Sequence, residues 1–210
     1  VATAYFDGNQ YEFERMKKAI EHKRNIENTL WFGARSYSAS SPPRHTAGGV
    51  AEFLASATNS TTATTLDKGT LNDFFRTGLQ HGSQNKVLFA APIVTQVIGE
   101  FLQDNWVRAT PSDTKWGVRL SGYVSGIYGT DIPVVTKRDW GNWSTGTLYY
   151  GSGAYLIDME YVKYRPLRPT QFEENIQAPD ADEKTSQFIT EHSFQLARQE
   201  VHAKLVSVLG

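Results

Sequence analysis

The segment Thr190-Glu-His-Ser-Phe-Gln-Leu-Ala-Arg-Gln-Glu-Val-His202 packs two acids, two histidines, a serine and an arginine into thirteen residues. Its period decides whether these groups make a reactive site or the polar side of a structural element. Read as a strand, Phe188, Thr190, His192, Phe194 and Leu196 share one face, and Ile189, Glu191, Ser193 and Gln195 share the other. Glu191 and His192 then point apart and form no local site. Read as a helix, Phe194, Ala197, Val201 and Leu205 also align, so period alone leaves both readings open. The β-branched and aromatic residues before Ser193 favour a strand that breaks near Glu200. On either reading the acids and imidazoles are expected to form a solvated face.

The chain has 210 residues, enough for one large domain or two small interleaved ones with a real core. Its 40% hydrophobic and 20% charged content is that of a globular protein. With 21 basic and 22 acidic side chains the net charge is −1, which gives no electrostatic pull towards nucleic acid. There is no cysteine, so disulfides, thiolate metal sites and cysteine nucleophiles are excluded. No apolar run reaches the length of a membrane span.

Upstream, Tyr5 to Phe32 reads as one long helix closed by Gly33. Its apolar residues Phe6, Phe13, Met16, Ile20, Ile26 and Leu30 form only a narrow stripe among charges, so this helix is expected to lie along a surface rather than fill a core. Ser36 to Arg44 reads as an extended Ser/Pro loop, and Gly49 to Ala57 as a short helix. Asp67 is a candidate N-cap for a helix carrying Leu71, Phe74, Phe75 and Leu79, with Gly82 closing it. Lys86–Ala90 reads as an apolar strand, and Pro92 opens another helix with Val94, Val97, Ile98, Phe101 and Leu102 on one face. After Pro111 the period turns to strands, at Trp116–Ile127, Ile132–Lys137, Gly146–Tyr150, Ala154–Ile157 and Tyr161–Arg165. Phe172 to Thr185 reads as an acidic, turn-rich stretch. Early helices and late strands predict an α+β fold.

Reactive constellations are missing from the pattern. The histidines at 22, 45, 81, 192 and 202 have no spacing suited to zinc. No serine sits in a nucleophile elbow, and no glycine loop matches a phosphate cradle. The sequons at Asn59 and Asn142 read as loop chemistry. The clusters Arg44-His45-Thr46 and Lys137-Arg138-Asp139-Trp140 read as solvated or paired charges. The expectation is no catalytic, cofactor-binding or metal residue. A small hydrolase using Asp131, Asp158 or His192 is the competing reading from another functional class.

Five segments in order resemble the major capsid proteins of tailed phages with the Hong Kong 97-type fold. They are the charged helix with Lys23-Arg-Asn-Ile-Glu27, Arg44-His-Thr-Ala-Gly-Gly-Val50, and Leu66 to Gly82 with the following strand and helix. The fourth joins Tyr128-Gly-Thr-Asp-Ile-Pro133, Ala154-Tyr-Leu-Ile-Asp158 and Arg165-Pro-Leu-Arg-Pro169. The fifth is Asp180 to Val208. The resemblance implies a long spine helix and two interleaved domains. Residues 1–45 and 166–200 would form a peripheral domain, and 46–165 with 201–210 an axial domain.

The resemblance further implies a structural protein that self-assembles, as hexamers and pentamers, into an icosahedral shell around double-stranded DNA. The DNA would be contacted only non-specifically. Scaffold, portal and decoration proteins are the other implied partners, with no membrane, and the implied location is the virion capsid, assembled in the bacterial host cytoplasm. An encapsulin-type nanocompartment shell is the sibling reading. Family members carry an N-terminal arm and an extended loop ahead of the spine helix. Neither has a counterpart in this sequence, so no lysine cross-link through that loop is expected.

Overall fold

The computed structural model describes residues 10–39, 41, 44–54, 60–62, 65–104, 122–124, 131–142, 144–145, 148–149 and 153–206. In chain order the first elements are α1 (Gln10–Phe32), β1 (Ser36–Ser38), β2 (Arg44–Thr46), α2 (Val50–Phe53), β3 (Ser60–Thr62), α3 (Lys68–Leu79), β4 (Lys86–Ala90) and α4 (Pro92–Asp104). Then come β5 (Gly122–Val124), β6 (Asp131–Thr136), β7 (Ser144–Thr145), β8 (Leu148–Tyr149), β9 (Ala154–Asp158), β10 (Val162–Glu174), β11 (Ser186–Leu196) and β12 (Ala203–Val206). Helices precede most strands, as the α+β reading expects. The chain divides into two compact units, Val1–Phe53 with Lys163–Gln195 and Leu54–Val162 with Leu196–Gly210. The sequence reading set those divisions at 45, 165 and 200.

The second unit is built on a six-stranded sheet in the order β3-β12-β9-β4-β6-β5. β9 runs antiparallel to both β12 and β4, while β4 and β6 are parallel. Period two puts Leu88 and Ala90, Ile132 and Val134, Ala154 and Leu156, and Ala203 and Leu205 into one apolar cluster. Helical spacing adds Leu71, Phe74 and Phe75 from α3 and Val94 and Ile98 from α4. Asp67 caps α3 as expected, its carboxylate accepting from Thr70 N at 2.7 Å. Each fully buried Leu, Ile or Phe contributes roughly 1.5–3 kcal/mol, so this cluster dominates the stability of its unit.

The first unit has a different economy. α1 runs about 35 Å and has no buried residue. β10 and β11 form a two-stranded ribbon. The contacts Phe172–Phe188, Thr170–Thr190 and Arg165–Gln195 follow in opposite order along the two strands, so the ribbon is antiparallel. β10 extends well beyond the expected Tyr161–Arg165. It passes Pro166 and Pro169 and takes in Phe172 to Glu174, which the sequence reading gave to turns. The Ser/Pro loop is likewise corrected, since it ends in the paired strands β1 and β2. The start of the first helix, residues 55–57 of the second, Asn59 and most of Trp116–Ile127 lie outside the described residues.

α2 meets the end of α1 at a close backbone approach. Gly49 N donates to Gly33 O at 2.6 Å, and a Cβ on Gly49 would stand 2.5 Å from Gly33 N and 2.7 Å from Phe32 N. Backbone atoms cannot step aside as side chains do, so Gly49→Ala should cost about 1–3 kcal/mol. Gly99, inside α4, has nothing within 4 Å of its would-be Cβ. Gly99→Ala should therefore stabilise by about 1 kcal/mol through helix propensity. Chemical denaturation of both variants checks the opposite signs.

Candidate functional site

α1 is held to the ribbon by one polar-aromatic face. Tyr11, Arg15 and His22 recur at helical spacing and point the same way. Tyr11 Oη donates to Ser186 Oγ at 3.1 Å, and Lys184 Nζ stands 4.3 Å from the Tyr11 ring centre. The Arg15 guanidinium lies 4.3 Å from the Phe172 ring and 4.0 Å from Glu174. His22 stacks on Phe188 at 5.8 Å, and its Nε2 meets Thr190 Oγ1 at 2.7 Å. Thr190 gives its own hydroxyl proton to Thr170 Oγ1 at 2.9 Å, so Thr190 accepts from His22 Nε2–H. Each such contact contributes about 0.5–1.5 kcal/mol, so the seam is a sum of small terms. A groove of about 570 Å³ follows it, where Arg15, Lys18 and Lys184 face Glu14 and Glu21. The charges nearly balance, and among the described residues lining the groove no catalytic nucleophile is paired with a base.

His192 lies on the same ribbon face as Thr190, as the strand reading expects. Its ring stacks on Tyr164 at 5.9 Å, and both ring nitrogens are shielded from solvent without a hydrogen-bond partner. Burial, with His22 adding repulsion, pushes its pKa down. The expected solvated face is therefore wrong for this imidazole. The alternation of the strand gave the right face, but that face packs inward.

In the second unit, three buried polar residues converge. They are Lys86, Asp158 and His202, all 1% exposed or less. Lys86 Nζ donates to Gly78 O at 2.6 Å, to Val201 O at 2.7 Å and to His81 O. These three bonds use all the ammonium protons. The Asp158 carboxylate accepts from Ser83 N at 2.7 Å, Ser83 Oγ at 2.8 Å and Glu160 N at 3.1 Å. His202 Nδ1 accepts from Asp158 N at 3.1 Å, so Nε2 carries the proton it gives to Ala197 O at 3.2 Å. Gly82, at φ +95°, fits where a Cβ would come within 2.6 Å of Asp158 Oδ2. Burial pushes the pKa values of both Lys86 and His202 down, and the Asp158 charge partly offsets this. His202, expected on a solvated face, is instead wholly enclosed. The group ties the end of α3 to β4, β9 and the segment leading into β12.

The three residues of the hydrolase reading are not joined to one another. Asp131 is exposed at the start of β6, opposite Val124. Asp158 is fully committed to Ser83 and Glu160, and β4 separates its strand from β6. His192 belongs to the other unit. Among the described residues no group of three or more His, Asp or Glu could hold a metal ion. Sequence reasoning missed Lys86, yet a signal existed, because period two places it on the same face as Leu88 and Ala90.

A family model described as SU10 major capsid protein matches residues 1–208. No curated protein matches the chain. Among solved structures, a virus-like particle from Pyrococcus furiosus aligns at 12% identity over 75% of this chain and 59% of that chain, with a TM-score of 0.42. This chain thus spans about three fifths of that protein's length. A chain of the satellite phage P4 procapsid, in a structure including the size determination protein, aligns at 11% identity. That alignment covers 96% of this chain and 68% of the other, with a TM-score of 0.47.

Two measurements test the buried groups. Lys86→Met leaves three carbonyls and the Asp158 charge uncompensated, and should cost about 3–5 kcal/mol in chemical denaturation. Lys204, half-buried on β12 with its pKa pushed down by burial alone, should tolerate Lys204→Met without loss. For the imidazoles, the folded state resists protonation while the unfolded chain takes up protons near pH 6.5. Their stabilising contribution is complete above that pH and falls as pH drops below it. The drop in denaturation midpoint from pH 7.5 to 5.5 should shrink in His192→Leu.

Proposed function

We propose, from the premise that this chain belongs to the SU10 major capsid protein family, that its copies tile an icosahedral phage head shell of the Hong Kong 97 type around double-stranded DNA. The family match over residues 1–208 is the observation that carries this reading. The first unit, with α1 and the ribbon, would be the peripheral domain, and the sheet-based second unit the axial domain. Copies would surround five-fold and six-fold axes, and many small polar-rimmed contacts would add up through repetition. DNA would meet the shell through non-specific contacts only, in keeping with the net charge of −1. Scaffold, portal and decoration proteins would bind during assembly in the bacterial cytoplasm.

A shell role needs no catalytic residue. The polar groups described above are explained by packing: Lys86, Asp158 and His202 satisfy backbone, and the α1 face holds the ribbon. Electron microscopy and light scattering of the full-length gene product test the proposal. Closed particles or capsomer rings are expected. A monodisperse monomer at high concentration would overturn it, and particles loaded with an enzyme and no DNA would move it to the nanocompartment reading.

A further inference from the structure

α1 is amphipathic in the unusual sense. Its polar-aromatic face, Tyr11, Arg15 and His22, meets the ribbon. Phe13, Met16 and Ile20 are 53%, 61% and 56% exposed. Successive helical residues turn by about 100°, which puts these three roughly half a turn away from the seam. A surface helix ordinarily buries such a stripe and wets its charges. Beside the stripe, Lys23 and Arg24 are exposed.

The turn joining β10 to β11 has the complementary character. From Glu173 to Lys184 it carries Glu173, Glu174, Asp180, Asp182 and Glu183 against a single lysine. Asp180 and Asp182 are exposed, and Ile176 is 42% exposed among them. The turn is preformed. Ile176 N donates to Thr185 O at 3.1 Å, Ala181 N to Ala178 O at 3.0 Å, and Thr185 N to Gln177 Oε1 at 3.2 Å. Docking it therefore costs little ordering entropy.

We infer that the outer stripe of α1 receives the acidic β10–β11 turn of a second copy of this chain, with Ile176 against Met16 and Ile20, and Asp180 and Asp182 against Lys23 and Arg24. Opposite charges on the two patches favour this occupant over stripe-on-stripe pairing, which would bring Lys23 and Arg24 of both copies together. The contact joins different patches, so it is head-to-tail and propagates around a ring. A contact of so few side chains gains strength through repetition around the ring. This inference rests on the shell reading and names one of its contacts.

The chain has no cysteine, which makes a cross-linking test clean. Met16→Cys and Ile176→Cys are prepared separately, mixed under assembly conditions and oxidised. A disulfide dimer in the mixture, absent from either variant alone, is expected. Dimers from Met16→Cys alone would mean face-to-face stripes and overturn the inference. No mixed dimer while the wild-type protein still forms particles would overturn it and leave the shell reading intact. A wild-type protein that never assembles would overturn both. In parallel, the double variants Lys23→Glu/Arg24→Glu and Asp180→Lys/Asp182→Lys should each slow assembly about tenfold at low salt. Combining all four changes in one chain should restore the rate; failure to do so counts against the pairing.

Discussion

A helix without a buried residue cannot hold itself in place, and α1 depends on the polar seam it makes with the ribbon. His22 to Thr190, Tyr11 to Ser186 and Arg15 over Phe172 each add about 0.5–1.5 kcal/mol. Exposed ion pairs such as Lys18–Glu21 add little more. The second unit rests instead on fully buried aliphatic and aromatic side chains, each of which outweighs any one seam contact. Stability and presentation are thus separated. The sheet unit supplies the cohesion, while the helix and ribbon offer long, weakly committed surfaces.

The Lys86 group shows how the sheet unit fixes its geometry. Three carbonyls from two stretches of the sequence, Gly78 and His81 around the end of α3 and Val201 far downstream, converge on one ammonium. An apolar residue of similar length would leave them unsatisfied, whereas lysine specifies both their distance and their direction. Buried charges are weak stabilisers when compared with well-packed hydrophobes. Here the ammonium fixes where the end of α3 and the segment entering β12 meet β4.

The sequence made elements legible where composition and period agree. Lys86–Ala90, the helix from Pro92 and the Asp67 cap follow from single patterns, and the Phe188–Leu196 face from alternation weighed together with β-branched and aromatic content. The errors arose where tertiary context overrides the local signal. Pro166 and Pro169 argue against a strand because each lacks a donor, but a two-stranded ribbon has an edge without a ladder partner and tolerates them. β1 and β2 have no apolar alternation and pair in a hairpin with Tyr37 against His45 at 4.8 Å. His192 and His202 look like solvent-facing imidazoles because polarity was read without the neighbours that cover them. His202 takes a hydrogen bond from Asp158 N, 44 residues away in sequence, which no local window contains.

The place of β12 in the sheet bears on how the subunit is made. It lies between β3 and β9, pairing with both, although it follows every other described strand in the chain. Until β12 is in place the six-stranded sheet stays open, with β3 lacking its neighbour and the Ala203 and Leu205 positions of the core empty. Pairing so remote in sequence is slow to form. A subunit whose β12 has not yet paired cannot present a finished sheet unit. Completion of the sheet unit is thereby tied to one short strand.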